Sequence, residues 1–354
     1  MNTPGTQKAS WNLSRLPLIV APMLGISTPE MVAAACNQGA LGALPLGLKT
    51  RREAEHLIRQ TRSKTDLPFS VNLFCHPEPV WDFAPYQEAV DWLRGYYRKF
   101  NLPFPEIPAS SPYGNYRDLI ELILQAPIHA VSFTFGLPDP DIMQVLQRKG
   151  IKMLGTATHL QEALAIAASG MDYVILQGNE SGGHRGGFLD SPEPHPDSRS
   201  LLEALRDQLP IPVISAGGIA TPAEVEARLC RGAAAVQVGS AFLRAAESQA
   251  AAFQQACLDE LEGQAPVTTT AWSGKLAKGM PSEFVREQEA SGIKLPPYPL
   301  FNYLTGNLRR YATELGRREF LFQWSGDQGF QARSAPTASI IDYLVPPALE
   351  TTWS

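Results

Sequence analysis

The sequence predicts an α/β fold, a (β/α)8 TIM barrel with a mainly helical cap inserted after its eighth strand. Three observations carry this reading. Eight short, mostly apolar runs recur along the 354 residues, each separated from the next by a stretch of helical periodicity. Continuous apolar runs of this length mark parallel strands buried on both faces. Helix-capping residues stand where the helical stretches should begin and end. Glycine and polar residues gather just after the later runs, the end at which such barrels keep their ligands. An open doubly wound sheet is the structural alternative, and eight strands with crossover helices favour closure.

The runs are LPLIVAPM (16–23), ALGALPL (40–46), FSVNLF (69–74), AVSFTF (130–135), KMLGTAT (152–158), YVILQG (173–178), PVISAGG (212–218) and AVQVGSAF (235–242). Between them, Thr28 caps a helix with Glu30 in its first turn, and Gly39 ends it. DPDIMQVLQRKG carries Ile142, Val145 and Leu146 at helical spacing and stops at Gly150. THLQEALAIAASG starts on Thr158 and stops at Gly170. TPAEVEARLCRG puts Pro222 at its first helical position and stops at Gly232. Three stretches exceed the repeat: a Pro- and aromatic-rich excursion at 75–125, a Pro-rich loop at 184–200, and an insertion at 255–325. The chain therefore divides into barrel strands over 1–254, a cap over 255–325, and a return segment over 326–354 with a last helical segment at 335–344. The excursion leaves from a strand's carboxyl end and so reads as a wall of the site; its DWLRGYYRKFNLPFP segment reads as a pocket wall or a dimer surface.

Composition narrows the function. A net charge of -5 without basic runs argues against nucleic acid and anionic membranes. Cys36, Cys75, Cys230 and Cys257 form no CxxC pair and no zinc spacing, so they read as buried or partly buried free thiols, and no metal is expected. The first residues, MNTPGTQKASWNLSRLP, hold no apolar secretory core, and no run approaches the roughly 18 apolar residues of a membrane span. The expectation is a cytoplasmic monomer or homodimer acting on a small molecule.

The chemistry gathers at strand ends. The seventh run ends in Gly217-Gly218 and the eighth in Gln237-Val238-Gly239-Ser240, followed by a predicted helix. Glycine lets backbone approach a ligand, and unpaired N–H groups at a helix start suit a phosphate. The sixth run enters GNESGGHRGG, a glycine-rich loop that presents His184 and Arg185. A histidine there can act as a base or a hydrogen-bond donor. Asn72 in the third run and Gln177 in the sixth carry amides that can give and accept hydrogen bonds at a heterocycle edge. The first run ends in Ala21-Pro22-Met23.

Read together, IVAPMLGISTPEMVAAACNQGALGAL, SVNLFCHPEP, VSFTFGLP, YVILQGNESGGHRGGF and PVISAGGIATPAEVEARLCRGAAAVQVGSAFL resemble the nitronate monooxygenases, once called 2-nitropropane dioxygenases. TTAWSGKLAKGM and PPYPL resemble segments of that family's cap. The resemblance implies an FMN-dependent TIM barrel that oxidises alkyl nitronates, such as propionate 3-nitronate, with O2 to a carbonyl compound plus nitrite or nitrate. It implies flavin contacts at Met23, Asn72, Gln177, Gly182, Gly183, Gly217 and Gly218, and at Gln237, Val238, Gly239 and Ser240. It implies an active-site histidine at His184 and a pocket-closing tyrosine at Tyr298. Thr134 stands on the substrate side where members of the family tend to carry a histidine, and Tyr303 is the candidate for their second cap tyrosine. An FMN- and NADH-dependent enoyl-(acyl-carrier-protein) reductase is the alternative within the same barrel. A flavin-free barrel that binds a sugar phosphate is a second, and a descendant without catalysis a third.

Overall fold

In the computed structural model, which describes residues 11–190, 194–259 and 264–345, the eight apolar runs form parallel strands that close into a barrel. Parts of the amino-terminal stretch, the Pro-rich loop, the 255–325 insertion and the return segment lie outside the described residues. In chain order the strands are β1 (Leu18–Val20), β2 (Leu41–Pro45), β3 (Phe69–Phe74), β4 (Ile128–Thr134), β5 (Lys152–Ala157), β6 (Tyr173–Gln177), β7 (Gly183–His184), β8 (Val213–Ala216), β9 (Ala235–Val238), β10 (Val267–Thr269) and β11 (Ala277–Gly279). All but β7, β10 and β11 belong to the barrel, and β9 closes it against β1 by pairing Leu18 with Val236 and Val20 with Val238. Several strands are shorter than their apolar runs. β8 stops at Ala216 because Gly217 and Gly218 turn to φ of +115° and +63°, a region that side chains with a Cβ avoid.

Alternation along each strand divides the packing. Ile19, Leu154, Ile175 and Ile214 point into the barrel, over a floor made by Trp11, Leu13 and Tyr173. Leu18, Val20 and Val236 point outward to the helices. Each such buried side chain contributes about 1.5–3 kcal/mol.

The helices are α1 (Pro29–Asn37), α2 (Arg51–Arg62), α3 (Gln87–Lys99), α4 (Arg117–Gln125), α5 (Pro140–Lys149), α6 (Leu160–Ser169), α7 (Ser198–Leu205), α8 (Pro222–Cys230), α9 (Ala252–Cys257), α10 (Glu283–Ser291), α11 (Leu300–Glu314) and α12 (Thr337–Leu344). The capping expectations hold at α1, where the Thr28 side chain accepts from the Met31 N–H, and at α8, where Thr221 and Glu224 cap each other. Gly150 and Gly170 end α5 and α6 in the left-handed region. α6 begins two residues later than the sequence suggests, because the N–H and hydroxyl of Thr158 both donate to Glu162. Cys36, Cys75 and Cys257 are buried, whereas Cys230 at the end of α8 is exposed. Among the described residues no helix is long and apolar enough to cross a membrane.

One element differs from expectation. The eighth run is followed by a single 3-10 turn, Ser240–Phe242, in place of a helix. The chain beyond it bonds to other elements: Glu247 accepts through its main-chain oxygen from the Thr28 hydroxyl, and through its carboxylate from the Thr337 N–H and hydroxyl. Those partners tie 240–251 between α1 and α12, and α12 covers that side of the barrel.

The cap draws on two separate stretches. Val90, Leu93 and Tyr97 of α3, in the excursion after β3, pack with Trp272, Phe284, Leu304 and Leu308 of the insertion after β9. The aromatic excursion is therefore a wall of the cap core. The cap also has a β component: β10 and β11 form a hairpin whose inner strand pairs with β7. Tyr97 ties the two stretches together, since its hydroxyl donates to the Leu304 carbonyl at 2.7 Å and accepts from the Leu308 N–H at 3.3 Å, inside the ladder of α11. Tyr97→Phe is expected to lower stability by about 1 kcal/mol, the net worth of one buried hydrogen bond. Denaturant unfolding reads this directly, and an unchanged midpoint would show that the hydroxyl is dispensable.

Candidate active site

A cavity of about 660 Å³ opens at the carboxyl ends of the barrel strands, beneath the cap. Every site residue singled out from the sequence except Arg185 and Tyr303 lines it, from Met23 after β1 to Tyr298 in the cap.

One end of the cavity is built from backbone. Gly217 and Gly218 lie at the end of β8, and Gly239 and Ser240 at the end of β9. A Cβ on Gly218 would come within 2.8 Å of the Glu180 side chain, and one on Gly217 within 2.5 Å of the Ser181 hydroxyl. The N–H groups of Gly218 and Ser240 have no protein acceptor among the described residues. The 3-10 turn offers its first N–H groups much as a helix start does, so this end remains suited to a phosphate. The Ser240 hydroxyl is engaged elsewhere, accepting from the Gly326 N–H at 2.9 Å, and so anchors the return segment over the cavity. Glu180 also lines this end. Its carboxylate accepts from the Ser198 N–H and hydroxyl and lies 3.8 Å from the buried Arg228, which offsets its charge.

The middle of the cavity holds the amides. Asn72 donates from Nδ2 to the hydroxyls of Ser132 and Thr134, both at 3.0 Å, which leaves its carbonyl oxygen free to accept. Thr134 thus orients Asn72. Gln177 behaves differently from the expectation of a heterocycle contact. Its Nε2 donates to the His184 carbonyl at 3.0 Å and its Oε1 accepts from the Gly186 N–H at 2.8 Å, so both ends of the amide hold the glycine-rich loop. The loop is fixed on two further sides: the Phe135 N–H donates to the Gly186 carbonyl, and β7 pairs with β11. Arg185 turns away from the cavity and donates to the main-chain carbonyls of Gly178, at 2.5 Å, and of Gln177, at 2.9 Å.

The far end holds His184. Its ring lies 5.1 Å from Tyr298 and 5.3 Å from Trp324, centroid to centroid. Nε2 is 2.8 Å from the Ser273 hydroxyl, and Nδ1 has no protein partner among the described residues. Burial, with Lys275 and Arg309 nearby, pushes the imidazole pKa down to about 3, so the ring is neutral at ordinary pH. The Ser273 hydroxyl has two acceptors within reach, Nε2 and the Lys275 carbonyl at 3.0 Å. Turned to the carbonyl, it leaves the imidazole hydrogen on Nε2; turned to Nε2, it leaves that hydrogen on Nδ1, free for a ligand. Lys275 holds its ammonium 4.6 Å from the centre of the Phe135 ring. Phe135 itself has a φ of +72°, a strained conformation for a residue with a Cβ.

Sequence reasoning missed several of these residues. Ser273 and Lys275 lie in the TTAWSGKLAKGM segment, where their residue types gave the only signal. Arg309, Tyr113 and Asn302 line the cavity, as does the 322–324 segment, whereas Ser273 and Lys275 stand behind His184 and Phe135. Tyr303 does not enter it; its hydroxyl turns out to the Glu106 carbonyl at 2.6 Å. Among the described residues no cluster of His, Cys, Asp or Glu is arranged to hold a metal ion.

Comparison with known proteins gives this geometry a family. The sequence profile described as Nitronate monooxygenase matches residues 7–346. A probable nitronate monooxygenase of Staphylococcus saprophyticus is 34% identical over 339 residues, covering 95% of each chain. The crystal structure of a nitroalkane oxidase from Streptomyces ansochromogenes superposes with a TM-score of 0.88 at 33% identity, covering 97% of this chain and 99% of that one. FabK from Thermotoga maritima, at 23% identity and a TM-score of 0.72 over 96% of this chain and 94% of its own, shares the fold. The barrel, the held glycine-rich loop and the match along nearly the whole chain agree: this protein belongs to the nitronate monooxygenase family of enzymes.

Proposed function

We propose that this enzyme uses FMN and O2 to oxidise alkyl nitronates, propionate 3-nitronate among them, to a carbonyl compound and nitrite or nitrate. The observation that carries the reading is His184: a neutral imidazole with one nitrogen free for a ligand, beside two cations, Lys275 and Arg309, neither of which forms a salt bridge among the described residues. A base whose conjugate acid has a pKa near 3 is too weak to take a proton from a carbon acid such as a neutral nitroalkane. The same site suits a substrate that arrives as the anion. An anion beside the ring draws the imidazole hydrogen to Nδ1, with the Ser273 hydroxyl turning to Nε2, so that His184 donates to the nitronate oxygen.

The residues present fit FMN. Glycines without room for a Cβ and the free N–H groups of Gly218 and Ser240 would hold its phosphate, and the Asn72 oxygen would accept from its ring edge. Bound FMN supplies the electron acceptor and the reaction with O2. The protein's own part is to orient the nitronate through His184, to surround it with the Phe135, Tyr298 and Trp324 rings that keep water out, and to balance its charge with Lys275 and Arg309.

The test is to purify the protein, record its visible spectrum, and follow oxygen consumption and nitrite release on adding preformed nitronates. A flavin spectrum with nitronate-dependent oxygen uptake is expected. A yellow protein inactive on every small nitronate would sink the reaction, and a protein that cannot be reconstituted with FMN would sink the cofactor. Bleaching of the flavin by NADH without oxygen would move the assignment to enoyl-reductase chemistry.

A further inference from the structure

We propose that Arg228 is a positioning residue for the cofactor phosphate: it neutralises Glu180, which packs on the phosphate-binding turn, and so sets the preference for FMN over a flavin without a phosphate. The inference rests on the proposed cofactor and adds the charged layer behind the backbone that would hold it.

Glu180 stands in an unusual place for a carboxylate. It lines the cavity at the end where Gly217 and Gly218 turn. A Cβ on Gly218 would lie 3.2 Å from Glu180 Oε1, so the charge packs against the residue whose N–H is free for a phosphate. Like charges a few ångströms apart, shielded from bulk water, oppose each other strongly. The carboxylate is clamped in that position. The Ser198 N–H donates to its Oε1 at 2.9 Å and its Oε2 at 3.1 Å, and the Ser198 hydroxyl donates to Oε1. The Glu180 main-chain oxygen accepts from the Asp327 N–H at 3.1 Å. Glu180 therefore bolts the loop after β6 to the start of α7 and to the return segment, and brings a negative charge with it.

Arg228, on α8, answers that charge. It is 5% exposed and does not line the cavity. Its Nη2 donates to the Ser198 hydroxyl at 3.0 Å and lies 3.8 Å from Glu180 Oε1, while its Nε is enclosed without an acceptor. As a strut alone, a buried ion pair contributes little that apolar packing would not. Of the charged groups around Arg228, Glu180 acts on it most strongly; Glu224 and Asp197 act in the same sense and Arg199 in the opposite one. Glu224 and Asp197 are each engaged at a helix start, with Thr221 and Ser200. Ser198 carries the arrangement to the turn itself, since its hydroxyl also lies 3.1 Å from the Gly217 carbonyl oxygen. Arg228 thus reaches the phosphate end through one serine and one carboxylate, without touching the ligand.

The experiment strips the flavin from wild type, Arg228→Met, Glu180→Gln and the double variant. Each is titrated with FMN and with riboflavin by flavin fluorescence, and its unfolding temperature is checked. Riboflavin has the same ring and ribityl chain without the phosphate, so the ratio of the two affinities isolates the phosphate. Arg228→Met should lower the FMN-over-riboflavin ratio at least about tenfold, because Glu180 is left uncompensated. Glu180→Gln should raise the ratio at least about threefold, and the double variant should return it to within about threefold of wild type. A merely structural Arg228 would weaken both flavins together. An unchanged ratio in Arg228→Met, or a ratio that stays low in the double variant, overturns the proposal. If Arg228→Met does not fold, Glu180→Gln decides: a raised ratio upholds the proposal, and an unchanged or lowered one overturns it. If the wild type binds neither flavin, the cofactor reading fails, and inorganic phosphate then tests the pair. A rise in unfolding temperature with phosphate that is lost in Arg228→Met and regained in the double variant upholds it; any other pattern removes it.

Discussion

His184→Ala is expected to lower kcat/KM on a preformed alkyl nitronate by about 10²–10³-fold per bound flavin, the usual cost of losing one oriented donor to a reacting oxygen. The expectation follows from how firmly the ring is placed. Gln177, Gly186 and the β7–β11 pairing fix its backbone, and Ser273 holds its Nε2. Oxygen uptake measures the loss, and rates within about threefold of wild type would remove His184 from the mechanism. A pH series separates donor from base. With the imidazole pKa pushed down to about 3, the ring stays neutral from pH 5 to 8, and kcat/KM on a nitronate should show no His184-dependent inflection in that range. An inflection near 6.5 that disappears in His184→Gln would identify a titrating imidazole. The linkage has a definite sign: the folded-state pKa lies below that of the unfolded chain. The stability from the neutral ring is therefore present above about pH 6.5 and is lost as the pH falls from there toward 3. Wild-type stability should fall more steeply than that of His184→Gln across this window.

The parts of the site legible in the sequence are those fixed by local chemistry. Gly217-Gly218 announces itself because only glycine tolerates the positive φ and the close approach at that strand end. His184 stands out because glycines bracket it. What stayed hidden depends on helix phase and on long-range pairing. Arg309 and Arg310 are adjacent and look alike, yet the phase of α11 turns Arg309 into the cavity and leaves Arg310 exposed. Tyr303 has the right residue type for a cap tyrosine, but the same phase points it outward to Glu106. Ser273 reaches His184 across 89 positions of sequence, and no local pattern encodes that meeting. Gln177 shows the converse. Its place at the end of β6 was readable, but its role was not, because an amide that could contact a ligand can equally hold a neighbouring loop.

Glu162 is the strongest case of a residue whose importance only the fold reveals, and Glu162→Ala carries the largest expected stability loss. In the sequence it is one acidic residue in the first turn of an amphipathic helix. In the structure it is fully buried. Its carboxylate accepts from the Thr158 N–H at 2.7 Å, the Thr158 hydroxyl at 2.9 Å and the Leu189 N–H at 2.8 Å, and also from the Phe188 N–H, with the His159 ring 3.6 Å away. It therefore joins the start of α6 to the far end of the loop that begins with His184. A Cβ on Gly187 would meet the carboxylate at 2.6 Å, which shows how closely the loop crosses it. Alanine would leave those donors buried without acceptors and open a void, a loss of about 3–5 kcal/mol. For a chain of this size that is roughly a 4–7 °C fall in unfolding temperature. Glu162→Gln keeps the volume but turns an NH2 group toward part of the donor set, so it should fall between wild type and alanine. Because the loop reaches the cavity at Gly182 to His184, flavin retention should weaken along with stability in both variants. Calorimetry and flavin titration test the two effects separately. A fall below about 2 °C would mean that the loop is held by Gln177 and β11 alone. Full stability loss with unchanged flavin affinity would show that the 187–189 end of the loop does not transmit its order to the site.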